Sequence, residues 1–292
     1  FTIALLICFR PQCPPWSKWV CLGMTPLFFI YGNWLNPIMD IGEQGLYRHK
    51  IVWKEQSPYQ KIVVVDQQQE SPELYSQRKL KHFRSQFKSL GHDPTGKIEL
   101  AQKDQDISLF INGGLQFNSR DEAIYHEHLI HPMMSLLPEK RHILVMGAGD
   151  GLALRELLKY PEVEQIDVVE LDPAMTHFAS THPSMIRLNK GAFQDPRVNV
   201  ILQDAWTWAR HQNGHYDAIV LDFPDPHHIE TAKLYSLQFY KLLRYNLKDH
   251  GVLVTQATSP LYDPNVFACI RRTLEEADFV VNSLHVEMRS FG

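Results

Sequence analysis

The run Leu221-Asp222-Phe223-Pro224-Asp225-Pro226 sets two carboxylates, Asp222 and Asp225, on one proline-stiffened loop. A third, Asp150, lies inside the glycine-rich run Met146-Gly147-Ala148-Gly149-Asp150-Gly151. Carboxylates crowded around one cleft repel each other and raise each other's pKa unless a cation lies among them, so the guest that suits such a cleft is polycationic. Asp225 before Pro226 also fits an ordinary turn, but a turn does not account for Asp150 and Asp222 converging from different segments. The glycines follow G-x-G-x-G, which lets backbone approach a ligand closely and start a helix. That spacing is not the G-x-G-x-x-G dinucleotide fingerprint. Glu170 ends an apolar run, where a carboxylate can hold two ribose hydroxyls, which favours a nucleoside over a dinucleotide. Asp204 ends another such run and either accepts from an exocyclic amine such as that of adenine or caps the helix that follows.

The elements that must position these residues are read from periodicity. From His142 onward, apolar runs of strand length alternate with helical patterns: strands at 143–146, 165–170, 198–202, 217–221, 252–256 and 279–285, with helices at 152–159, 173–181, 234–245 and 264–277 between them. That order is a doubly wound parallel sheet, an α/β fold whose ligands bind beyond the carboxyl ends of the strands; its Rossmann-like, S-adenosylmethionine-dependent methyltransferase type is what the resemblance given below implies. Ahead of it, Ile51 to Trp53, Ile62 to Val65 and a hairpin at 107–117 around Gly113-Gly114 make a small β domain. The expected organisation is an apolar membrane-associated segment over 1–45, the β domain over 46–120 with a basic insert at 67–105, and the Rossmann-like domain over 121–292, incomplete at its C-terminus.

From Trp19 to Met39 no Asp, Glu, Lys, Arg or His occurs, a stretch long enough to span a bilayer, with a buried or re-entrant apolar hairpin as the alternative. The expectation is therefore a membrane protein in contact with lipid; its placement in a bacterial inner membrane, with the catalytic domain facing the cytoplasm, rests on the resemblance given below. In the insert, Leu80, Phe83, Phe87 and Leu90 recur at helical spacing among Arg78, Lys79, Lys81, Arg84 and Lys88. Such a helix lies on anionic lipid or docks its apolar stripe on its own domain. With 292 residues, 44% of them hydrophobic, the chain has material for a large packed core. A net charge of -4 argues against a general nucleic-acid binder, and 4 Cys form neither a disulfide framework nor a zinc spacing. Assembly into a homo-oligomer stays open.

Several motifs together resemble the spermidine synthase (polyamine aminopropyltransferase) family in its membrane-embedded bacterial form, from residue 51 to the end with the insert as an interruption. They are Glu55-Gln56-Ser57-Pro58-Tyr59-Gln60, Arg120-Asp121-Glu122 followed by Tyr125-His126-Glu127, the glycine run through Gly151, Glu170-Leu171-Asp172, Tyr216-Asp217 and the D-x-x-D-P ending at Pro226. The resemblance implies transfer of an aminopropyl group from decarboxylated S-adenosylmethionine to putrescine, giving spermidine and methylthioadenosine without a metal. It implies that Gln60, Gly147, Gly149, Glu170, Asp204 and Ala205 hold the nucleoside and that Asp150 holds the aminopropyl ammonium. Tyr125, His126 and Asp225 would hold the diamine, and Asp222 would be the base. Two positions depart from the family pattern: Ala205 stands where Gly is usual, and His227-His228-Ile229-Glu230 lacks the proline that usually meets the adenine.

Elementary electrostatics favours the decarboxylated donor. An intact methyl donor carries a carboxylate that Asp150 would repel, whereas the decarboxylated donor presents only an ammonium. A methyltransferase on the same fold and a catalytically idle nucleoside- or polyamine-sensing domain are the competing readings. His126, His128 and His131 miss the H-E-x-x-H spacing, because Ile130 takes the place of the second His. Trp206 and Trp208 either flank adenine or pack, while Tyr235, Phe239 and Tyr240 read as core.

Overall fold

The computed structural model describes residues 42–70, 106–212, 215–226, 229–261, 263–288 and 290. Residues 51–68 and those from 106 onward belong to one compact unit, and residues 42–50 are grouped apart from it.

Strands β1 (His49–Gln56), β2 (Lys61–Glu70), β3 (Ile107–Ile111) and β4 (Gly114–Asn118) form a four-stranded sheet in sequential order. Strands β2 and β3, and β3 and β4, pair antiparallel. The β3–β4 hairpin turns on Asn112 and Gly113, both at positive φ, which the tight hairpin turn requires. The inward residues Ile62, Val64, Ile107, Leu109 and Phe117 pack against Met175, Phe178 and Met185.

Helix α1 (Glu122–Leu136) leads into a second sheet built from β5 (His142–Gly147), β6 (Gln165–Glu170), β7 (Val198–Leu202), β8 (Tyr216–Asp222) and β9 (Leu247–Thr255). The order is β7-β6-β5-β8-β9, and every pair is parallel. Helices α2 (Leu152–Leu157), α3 (Pro173–Thr181), α4 (Pro183–Asn189), α5 (Ala205–His211), α6 (Ile229–Ala232) and α7 (Leu237–Asn246) connect the strands, and α8 (Pro264–Glu276) follows β9. Alternation along β5 shows why the sheet is buried on both faces. Ile143 and Val145 join α1 and α2 in one core, and Leu144 and Met146 join α5, α7 and α8 in another. The chain winds from β5 through β6 to β7, then returns to β8 beside β5. The resulting switch point falls at the carboxyl ends of β5 and β8, where ligands of such sheets bind.

Two expectations are corrected. Residues 279–285 form no strand: Phe279 and Val281 pack on the second core while Val280 is exposed, so the alternation is present without a described neighbour to pair with. Membrane localisation is also corrected, and nothing among the described residues supports a lipid partner. Among the described residues no helix is long and apolar enough to cross a membrane. The longest of them, α1, has 15 residues, roughly 22 Å at about 1.5 Å per residue, against a hydrocarbon core of about 30 Å. The apolar run at 19–39 and the basic stripe at 78–90 lie outside the described residues.

Candidate functional site

The site is assembled at the carboxyl edge of the parallel sheet. The register sets Gly147, the last residue of β5, against Asp222, the last of β8. Gly147 adopts φ +80°, and a Cβ there would stand 2.3 Å from the Asp222 carbonyl oxygen, so the position demands glycine twice over. Gly149 is demanded by proximity instead: its Cβ would meet Glu170 Oε2 at 2.8 Å. Between them the chain turns to present Asp150, whose Oδ1 accepts from the Leu152 N–H at 2.9 Å at the start of α2.

Helix α1 brings Tyr125 and His126 to the same place. Tyr125 Oη donates to Asp222 Oδ1 at 2.7 Å. His126 is 2% exposed and hydrogen-bonded through Nδ1 to Glu122. Asp150, Asp222 and His126 lie within electrostatic reach of one another. Burial pushes the Asp150 carboxyl up to about 6, the His126 charge works against that rise, and the Asp222 charge adds to it. Of the repulsion expected among the three carboxylates, that of Asp222 on Asp150 contributes to this rise.

Asp225 lies on the loop after β8, which is held by its backbone. The Phe223 carbonyl accepts from Gln256 Nε2 at 2.7 Å, and the Pro224 carbonyl accepts from Tyr235 Oη at 3.2 Å. The neighbouring His227 and His228 lie outside the described residues.

On the other side of the glycine turn, Glu170 ends β6. Burial pushes its carboxyl up to about 7, although the N–H groups of Asp172 and Leu171 oppose that shift. Asp172 caps α3 through the Ala174 N–H and accepts from Ser57 Oγ at 2.7 Å. Ser57 Oγ in turn accepts from the Gln60 N–H at 3.0 Å, so Gln60 is tied to the Glu170 corner through Ser57 and Asp172. Asp204 is the N-cap of α5, with Oδ1 accepting from the Thr207 N–H at 2.9 Å and Oδ2 paired with Lys233 at 2.9 Å. Burial alone would raise its pKa, but Lys233 and Thr207 hold it below the usual value. The capping alternative is thus realised in the geometry. Ala205, the next residue, is buried.

The three histidines of α1 do not converge. His128 bonds to the Ile124 carbonyl, and His131 bonds to Tyr160 and Glu156. Glu127, His131 and Glu156 bring ligand atoms within 4.8 Å of one another, but Glu156 is already engaged by Arg155 and Lys159. Trp206, partly buried, stacks on Phe239, and Trp208, buried, packs against Tyr216, with Phe239 and Tyr240 fully buried beside them.

Sequence reasoning missed the buried ionic chain behind the site. Arg155 Nη1 and Nη2 fork onto the two Glu122 oxygens at 2.8 and 3.0 Å, and its Nε donates to Glu156 at 2.8 Å. One signal was available: Glu122 and His126 stand four positions apart, the spacing that pairs side chains on a helix.

Comparison with known proteins agrees with this architecture. The spermine/spermidine synthase domain matches residues 122–292. Polyamine aminopropyltransferase 2 of Ralstonia nicotianae is 43% identical over 199 residues, covering 68% of this chain and 39% of that protein. The polyamine aminopropyltransferase of Oceanobacillus iheyensis is 35% identical over 271 residues, covering 92% of this chain and 46% of that one. The chain thus spans less than half the length of these relatives. Among solved structures, spermidine synthase from Thermotoga maritima superposes with a TM-score of 0.60 at 25% identity, covering 78% of this chain and 64% of that chain.

Proposed function

We infer, for a chain that belongs to the spermine/spermidine synthase family, that the cleft transfers an aminopropyl group from decarboxylated S-adenosylmethionine to putrescine, giving spermidine and methylthioadenosine. The observation that carries this reading is the grouping of Asp150 and Asp222 around Tyr125 and His126, beside a glycine turn and a ribose-competent Glu170. Asp150 suits the donor's ammonium and would repel the carboxylate of an intact methyl donor. In this reading Glu170 accepts from the two ribose hydroxyls, beside Gly149, where a Cβ would stand 2.8 Å from Oε2. Gln60 and Ala205 border the nucleoside in this reading, and the adenine amine falls to Asp204, exchanging there for the Thr207 or Lys233 bond.

The attacking amine must be neutral. Asp222 accepts its proton while Tyr125, His126 and Asp225 hold the diamine. The amine nitrogen then bonds to the methylene carbon beside the sulfonium, the carbon–sulfur bond breaks with its electron pair going to sulfur, and the proton on Asp222 passes to solvent. The donor supplies its own leaving group, so the protein's part is positioning and charge.

The test is methylthioadenosine release from decarboxylated S-adenosylmethionine by the full-length protein, with and without putrescine. Release that depends on the diamine is expected. Asp222→Asn should abolish it while methylthioadenosine binding persists. A folded protein that binds methylthioadenosine but never releases it from the donor would overturn the reading.

A further inference from the structure

Both contacts of His126 Nδ1, the Glu122 carbonyl oxygen and Glu122 Oε2, each at 2.8 Å, are hydrogen-bond acceptors. Nδ1 must therefore carry hydrogen, and Nε2 is the nitrogen left to gain or lose a proton. Glu122 is fixed as a carboxylate by the Arg155 fork, and Arg155 is fixed by Glu156, which pairs with Lys159 and, at 2.9 Å, with His131 Nε2. In that chain Arg155 and Lys159 already balance Glu122 and Glu156.

The cleft side is not balanced in the same way. The charged or titratable groups facing His126 are Glu122 and Tyr125 on α1, Arg155 and Glu156 on α2 behind Glu122, Asp150 on the glycine turn and Asp222 at the end of β8. The charged residues of β9, which also packs on α1, stand at the far end of the sheet, where Lys248 pairs with Asp217 at 2.6 Å. Two carboxylates therefore face His126 from the cleft, and among these described neighbours no cation stands on that side.

We propose that His126 is a built-in counter-ion: in the ligand-free cleft its imidazolium offsets the charge of Asp150 and Asp222 in place of a substrate ammonium, and it gives up its Nε2 proton to solvent when a cationic substrate enters. The proposal rests on the polyamine reading above and goes beyond it by making substrate binding proton-linked. Burial on its own would favour the neutral ring, but the Glu122 hydrogen bond and the Asp150 and Asp222 charges outweigh it and raise the His126 pKa. An ammonium seated against the same carboxylates cancels that field, so the ring returns toward neutrality.

The deciding experiment is long-range proton–nitrogen NMR on the full-length protein with labelled histidine, the His126 signal being assigned by its loss in His126→Gln. The expected result is an imidazolium in the ligand-free protein near pH 7, converting to the neutral Nδ1–H ring as putrescine saturates the methylthioadenosine complex. A ring already neutral in the free protein overturns the proposal, and so does an imidazolium that persists at putrescine saturation. If calorimetry finds no putrescine binding, the functional reading fails and the exchange fails with it. The ligand-free spectrum then still decides the counter-ion: an imidazolium sustains that half and a neutral ring removes it.

Discussion

Tyr125 Oη donates a 2.7 Å hydrogen bond to Asp222 Oδ1 from a helix 97 positions earlier in the chain. Burial, then the charge of Asp222 and this bond, hold the phenol proton well above its ordinary range. In the proposed reaction Tyr125 therefore remains a donor, fixing one oxygen of Asp222 and leaving the other for the amine. Tyr125→Phe should lower turnover about 10- to 100-fold, the loss of a charge-assisted bond of about 1.5–3 kcal/mol, with methylthioadenosine affinity unchanged. Steady-state kinetics beside a binding titration checks it, and turnover within a factor of two of the wild type would count against this role.

Gly147 connects the sheet register directly to the chemistry. Ala there meets the Asp222 carbonyl oxygen at 2.3 Å and sits at a φ of +80° that costs an L-residue about 1–2 kcal/mol. The backbone carrying Asp222 must move. Gly147→Ala is expected to abolish diamine-dependent release and to lower the unfolding midpoint. A variant with wild-type turnover would show that the end of β8 tolerates displacement.

Nucleoside binding should depend on pH through Glu170. Burial raises this carboxyl to about 7 in the free protein. In the proposed binding mode the ribose hydroxyls donate to the ionised form, so below that pH a proton must leave before the ligand is held. Methylthioadenosine affinity is expected to be level above pH 7 and to fall toward about tenfold per unit below it. Glu170→Gln should bind more weakly and lose the slope. Calorimetric titrations between pH 5 and pH 9 measure both, and a flat wild-type profile would remove Glu170 from the ribose.

The parallel sheet was legible because its strands are buried on both faces: Ile143 through Met146 are all fully buried, and such a run reads as apolar without alternation. Glu170 and Asp222 were legible for a related reason, as polar residues that end such runs. What escaped was pairing at a distance. Arg155 and Glu156 adjoin each other on a short helix and resemble a solvated charged face, yet both are buried against α1. Ser57 reaches Asp172 across 115 positions, a contact that no local pattern encodes. Lys233 on Asp204 escaped in the same way.

The pair formed by Arg155 and Glu122 carries the sharpest stability expectation. Their side chains are 7% and 3% exposed, and Arg155 also serves Glu156 and the Leu188 carbonyl. Removing the guanidinium leaves two buried carboxylates without their shared cation, which costs about 3–5 kcal/mol when one partner of a buried pair is deleted. Arg155→Met keeps most of the volume, so the loss is chiefly electrostatic. The expected result is a fall of that size in denaturant unfolding, smaller at acid pH. The sign follows from the carboxylates: Glu122 and Glu156 have folded-state pKa values below the ordinary range, burial being outweighed by their hydrogen-bonded partners. The stability they contribute is therefore present above the unfolded pKa and lost as pH falls through the folded one. Wild-type and variant curves should accordingly converge toward low pH. A constant gap across the titration would mean that Arg155 acts through packing instead of charge.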